Sequence, residues 1–209
     1  GLSHDGAKLV FSRSGAFEDA LQSLYEAYLS DNYAYCRVTA EYASGLDYFL
    51  NMHGLSPPAV KGHVTGPISW CLGIADETGK SILYDDILAD AAARMLALSS
   101  RWQEDELKRV SPNTLIFFDE PAMSSYGSAF FNLPAGKVKS LIKEATSKLT
   151  GLKGVHCCGN TDWSLVLDTG IDILSFDAFN YGQSLSLYPD HLGRMLGMGG
   201  AVAWGIVPG

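Results

Sequence analysis

Apolar residues recur at three- and four-residue spacing over 17–29, where Phe17, Leu21, Leu24, Tyr25 and Leu29 share one side, and this predicts a helix. The same spacing predicts the longest helix over 84–109, through Ile87, Leu88, Ala91, Met95, Leu98, Trp102 and Leu107, with Pro112 just past its end. A third amphipathic helix is expected over 135–149, through Val138, Leu141, Ile142, Ala145 and Leu149, with Gly151 as its C-cap. Shorter helices are expected over 42–52, 162–169 and 189–198. Short apolar runs at 36–39, 59–64, 114–118, 154–156, 171–176 and 201–207 predict strands. Thr65-Gly66-Pro67 and Pro208 stop two of them, and Leu9-Val10-Phe11 is a further apolar run in an otherwise polar 1–15.

Short apolar strands that alternate with helices suit a parallel sheet, either doubly wound or closed as a (β/α)8 barrel. The placement of polar residues separates the two. Glu41, Thr65, Asp119 with Glu120, His156 with Cys158, and Asp177 all fall at strand ends. A barrel draws its reactive groups from the C-terminal ends of several strands, whereas a doubly wound sheet gathers them at one switch point. Neither G-x-G-x-x-G nor G-x-x-x-x-G-K-[ST] occurs, so no nucleotide fold is indicated. The expectation is an α/β chain of (β/α)8 TIM-barrel type. It is read as one domain over 1–209, incomplete, with about six βα units where a full barrel has eight in about 250 residues.

Composition narrows the partners. Charged residues are 18% and the net charge is -8 without a basic run, which argues against nucleic acid and anionic membrane. No stretch of about 18 apolar residues and no basic-then-apolar leader is present, so neither a membrane span nor a secretory signal is expected. Four cysteines, two of them adjacent, in a chain of this size point to free thiols and a cytoplasmic setting.

His156-Cys157-Cys158 is the sharpest chemical signal. Along a strand His156 and Cys158 share a face and Cys157 points away, which gives an imidazole and a thiolate suited to zinc. The competing reading is a buried thiol beside a hydrogen-bonded histidine. Asp177, closing the next strand, offers a third ligand or a helix N-cap. Asp119-Glu120-Pro121 offers a carboxylate for a substrate ammonium or a plain turn. Glu41 offers a second such carboxylate or a solvated helix start. Thr65-Gly66-Pro67 lets a ligand approach backbone closely, and Trp70 beside it would line a pocket. His4, His53, His63 and His191 have no spaced partners and read as surface or structural. Trp102, Trp163 and Trp204 read as packing.

With these residues in view, the chain resembles the cobalamin-independent methionine synthase family, and more closely its short relatives without the N-terminal half. The segments that carry the resemblance are Val60-Lys61-Gly62-His63-Val64-Thr65-Gly66-Pro67-Ile68-Ser69, Phe118-Asp119-Glu120-Pro121-Ala122, Gly154-Val155-His156-Cys157-Cys158-Gly159-Asn160-Thr161-Asp162-Trp163 and Ala203-Trp204-Gly205-Ile206-Val207-Pro208. The resemblance implies a barrel of the uroporphyrinogen decarboxylase/methionine synthase superfamily. It implies a zinc ion held by His156, Cys158, a carboxylate and a later cysteine. Asp177 falls where long relatives carry a glutamate. It also implies that Asp119, and Glu41 nearby, bind the ammonium of homocysteine. Methyltetrahydrofolate or a methylcorrinoid such as methylcobalamin, the latter on a corrinoid protein, would donate the methyl group, with Thr65 and Trp70 beside it. The family's first strand would precede residue 1 and its second zinc cysteine would follow Gly209. The chain is therefore expected to be shortened at both ends, with a homodimer covering the open barrel edges. Three other functions fit some of the same residues: methyl transfer to another thiol such as coenzyme M, a uroporphyrinogen decarboxylase-like reaction, and an inactive barrel fragment.

Overall fold

The computed structural model describes residues 2–5, 8–13, 15–129 and 131–207. Its centre is a five-stranded, wholly parallel sheet built from β3 (Val60–Thr65), β5 (Thr114–Asp119), β6 (Leu152–Cys157), β7 (Ile173–Phe176) and β8 (Ala201–Trp204), which lie side by side in that order. A three-stranded sheet stands apart from it. There β1 (Leu2–Asp5) runs antiparallel to β2 (Lys8–Phe11), and β2 runs parallel to β4 (Ile74–Asp76).

The helices between the central strands are α3 (Pro67–Leu72), α4 (Asp86–Leu107), α5 (Ala135–Thr146), α6 (Ser164–Leu167), α7 (Ala178–Leu185) and α8 (Pro189–Gly197). Among them α4 packs on α5, α5 on α6 and α6 on α8, a continuous layer along one face of the sheet. Ahead of the central sheet come α1 (Phe17–Leu29) and α2 (Ser44–Leu50), and α1 packs on α4.

Alternation along the strands decides which side chains meet the helices. Ile116, Phe118, Val155, Leu174 and Phe176 are no more than 1% exposed and pack with Val138, Leu141 and Ile142 of α5 in one core. Burying a side chain of this size contributes about 2–3 kcal/mol. The longest helix starts where Asp85 accepts hydrogen bonds from the Ile87 and Leu88 N–H groups, at 3.0 and 3.1 Å. Proline at the first position of α3 has no N–H to leave unpaired there.

Several expectations need correction. No strand forms over 36–39. Tyr33–Cys36 is a turn of 3-10 helix closed by Arg37 N donating to Ala34 O at 3.2 Å, and Arg37 and Val38 run on from it with no strand partner. Without that strand the parallel sheet has five members, and Glu41 sits in an exposed turn before α2 instead of at a strand end. Gly151 is not a helix cap. A Cβ there would lie 2.3 Å from Thr114 Oγ1 and 2.7 Å from Glu104 Oε1, so the residue is required by close approach. Buried Glu104 accepts from Thr150 N and Thr114 Oγ1, both at 3.1 Å, and from Gly151 N, which fixes the chain as it enters β6. Ile87, expected on the apolar side of α4, is 48% exposed. The final strand stops at Trp204, and Pro208 lies outside the described residues.

The two outer strands leave free edges. On β3, Val60 N and Gly66 N bond toward the β5 side, so the intervening peptides of Lys61, His63 and Thr65 face away from the sheet. One of their carbonyls, that of His63, accepts from Gln103 Nε2 at 3.3 Å. No helix among the described residues is long and apolar enough to cross a membrane.

Candidate functional site

The register of the five strands aligns one row of side chains near their C-terminal ends. Thr65 pairs with Asp119, Asp119 with His156, His156 with Ser175, and Ser175 with Ala203. Neighbours in such a row are about 4.8 Å apart at the backbone. The row lies on the face away from the helices, where Thr65 and Ala203 are exposed and Asp119, His156 and Ser175 half-buried. One step lower, Phe117 lies across Gly154, where a Cβ would meet its ring at 2.5 Å. Lys61 Nζ sits 4.7 Å above the same ring.

His156 is tied sideways, with its Nδ1 3.0 Å from Ser175 Oγ. Just beyond the strand, Cys158 is exposed, while Cys157 is fully buried and donates from Sγ to the Gly159 carbonyl at 3.4 Å. Burial pushes the Cys157 thiol up to about 11 and Cys71, also buried, up to about 12, which leaves both unreactive. The loop after Cys158 is pinned by Trp163, whose Nε1 donates to Ser184 Oγ at 3.2 Å and whose ring meets Phe176 edge-on at 5.2 Å.

Asp177 takes the N-cap role. Its carboxylate accepts from Asn180 N at 3.1 Å and Asn180 Nδ2 at 2.6 Å, at the start of α7. Those bonds hold its pKa below the usual range. Among the described residues no three His, Cys, Asp or Glu side chains are grouped so as to hold a metal ion. His156 and Cys158 are donors of the kind zinc takes, but a zinc site needs three or four protein ligands and the described residues bring no third to this pair, so the residues present do not by themselves make one.

Thr65 and Trp70 line a cleft of about 1210 Å³ over the free edge of β3, walled by Arg37, Val38, Leu46, Phe49 and Met95 among others. The cleft meets the strand-end row at Thr65, and Asp119 and His156 do not line it. Glu41 stays outside both. The structure thus brings Thr65, Asp119 and His156 together, places Cys158 and Asp177 just past the strand ends, and sets Trp70 beside the row on α3.

Sequence reasoning placed Glu120 at a strand end without giving it a role of its own, and passed over Ser175. Glu120 is fully buried beneath the row and accepts from Ile68 N at 2.9 Å, Ser69 N at 2.8 Å and Ser69 Oγ at 2.7 Å. Ser69 Oγ in turn accepts from Ala122 N at 3.1 Å. A Cβ on Gly66 would fall 2.3 Å from the Glu120 carboxyl, so Gly66 is what lets α3 seat on it. Burial outweighs these donors and raises Glu120 to about 7. Its one visible signal was a carboxylate directly following an apolar strand. Ser175 was signalled by a hydroxyl at an alternate position in Ile173–Phe176. His191 pairs with Asp168 at 2.7 Å on the helix layer, away from this site. No family model, curated protein or solved structure matches this chain, which leaves the strand-end row as the observation on which function rests.

Proposed function

We propose that this chain is the strand-end core of a thiol methyltransferase of the methionine-synthase type, built on an arc of a (β/α)8 barrel. The barrel reading is supported by parallel strands in sequential order with the crossover helices layered on one face. The observation that carries the chemical reading is the adjacency of Asp119 and His156 in one row, with Cys158 immediately past it.

The acceptor in this reading is homocysteine. Asp119, half-buried on the open face, pairs with its ammonium. That anchors one end of a small molecule whose sulfur reaches the His156 and Cys158 side of the row. Ser175 holds the imidazole from the side, and the Glu120–Ser69 network beneath fixes the ends of β5 and α3, so the anchor and the imidazole keep their spacing. Zinc held at His156 and Cys158 would lower the pKa of the acceptor thiol, although the described residues bring no third His, Cys, Asp or Glu to the pair. Thr65 and Trp70, at the mouth of the cleft, line the approach of the methyl donor, a methyltetrahydrofolate or a methylcorrinoid.

The test is elemental analysis of the purified chain with Cys158→Ser and His156→Ala beside it. Near-stoichiometric zinc that falls in both variants supports the ligand pair, and methyl transfer to homocysteine from folate or corrinoid donors then decides the acceptor and donor. Absent zinc, or zinc indifferent to both substitutions, overturns the proposal.

A further inference from the structure

We propose that the cleft over the free edge of β3 binds an amphipathic carboxylate, an elongated apolar molecule with one acidic end. The site is separate from the strand-end row and does not rest on the methyl-transfer reading.

The cleft has a volume of about 1210 Å³, room for a small organic molecule, and Leu46, Phe49, Trp70 and Met95 give it apolar walls. No Asp or Glu stands among its described lining residues, although 23 of the chain's 209 residues are acidic and its net charge is -8. The charged residues that line it are Arg37 and Lys61.

Arg37 differs from the other arginines. Arg13, Arg94, Arg101, Arg109 and Arg194 each pair with a carboxylate. Arg37 pairs with none among the described residues, even though a second recess that it lines carries Asp47 and Glu106. Lys61 holds its ammonium 4.7 Å over the Phe117 ring, which orients the charge without neutralising it. The strand edge adds backbone donors. Lys61, His63 and Thr65 turn their N–H groups away from β5, and none of the three has a partner among the described residues. The His63 carbonyl, the middle acceptor of that edge, is already taken by Gln103 Nε2 at 3.3 Å.

A carboxylate brought here meets N–H groups and a guanidinium whose planar fork matches its two oxygens. Without such partners a charge beside apolar walls is unfavourable, so these donors select an acid over its neutral analogue. A peptide strand on the same edge needs donors and acceptors in turn at 61, 63 and 65. The occupied His63 carbonyl interrupts that run, which favours the small acid over a peptide.

The experiment titrates the zinc-free chain with dansylaminoundecanoic acid and with its methyl ester, followed by dansyl fluorescence. It is applied to the wild type, Arg37→Gln, Arg37→Lys and Lys61→Gln, all changes at exposed positions. The wild type is expected to bind the acid saturably and the ester about 10- to 100-fold more weakly, the range that a hydrogen bond to a charged group covers. Arg37→Gln should bring the acid down toward the affinity of the ester, Lys61→Gln part of the way, and Arg37→Lys should keep most of the preference. Equal binding of acid and ester by the wild type overturns the proposal, as does the absence of saturable binding. Acid binding that neither Arg37→Gln nor Lys61→Gln weakens overturns it as well. Saturable binding of an acidic hexapeptide in place of the acid makes the cleft a strand-pairing groove and also overturns it. Neither zinc nor homocysteine enters the measurement, so failure of the methyl-transfer reading leaves its outcome untouched.

Discussion

The two faces of the five-stranded sheet are made by the same strands and obey different rules. On the helix side Ile116, Phe118, Val155 and Leu174 are sealed under α4 and α5. On the other side the same strands present Lys61, Thr65, Asp119, His156 and Ser175 to an accessible surface. Parallel sheets are ordinarily covered on both faces. Here one face carries the stability and the other is free to carry chemistry, and a single residue step along a strand passes from one to the other. Cys157 and Cys158 show the contrast most sharply, since neighbouring thiols end up fully buried and exposed.

The largest effect should come from the sealed face. Phe118→Ala removes a fully buried ring and is expected to lose about 3–5 kcal/mol in urea unfolding. A loss near zero would mean that the helix layer is not the stabilising face. Next is Glu120, which lies between the two faces. Its carboxyl is raised to about 7 from the ordinary 4.5. Between those values the folded chain binds more protons than the unfolded one, so this group's contribution to stability declines as pH rises through the window. The difference is on the order of 3 kcal/mol. The urea midpoint should therefore fall between about pH 5 and about pH 7.5, and Glu120→Gln should flatten that slope. A wild-type midpoint that rises over this range contradicts the assignment. Gly154→Val then probes the open face at its tightest point. Its side chain must displace the Phe117 ring, and a cost of about 1–3 kcal/mol is expected by the same measurement. Smallest is Thr65→Ala in the exposed row, which should stay within about 0.5 kcal/mol of wild type. Thiol labelling of the native chain sharpens the comparison further. Cys158 should react first, and Cys71 and Cys157 only on unfolding.

Regular periodicity was the legible part of the fold. The reading of 17–29 coincides with α1, although Leu29 of its expected apolar side is 78% exposed, and the central strands from 59 to 176 fall within a few residues of their expected places because a buried face imposes its pattern on the sequence directly. The run 36–39 misled because strand-forming residues need a ladder partner to become a strand, and none pairs with them here. In the site, His156 and Asp119 were legible because two separate strand ends each carried a reactive group. The register that sets Asp119 and Ser175 on either side of His156, and the seat that Glu120 provides for Ser69, join segments as many as 51 residues apart, which no local window contains. Asp177 was readable both as a ligand and as an N-cap, and Asn180, three residues on, occupies its carboxylate in the structure.

The free edge of β3 has a consequence for handling the protein. Its outward peptides at 61 and 65 have no ladder partner, and at 63 the carbonyl is held by Gln103, so an extended segment of another molecule would have to enter the cleft to pair with this edge. The ammonium of Lys61 and the stretch through Arg37 and Val38, which joins no strand, stand beside that edge as gatekeepers.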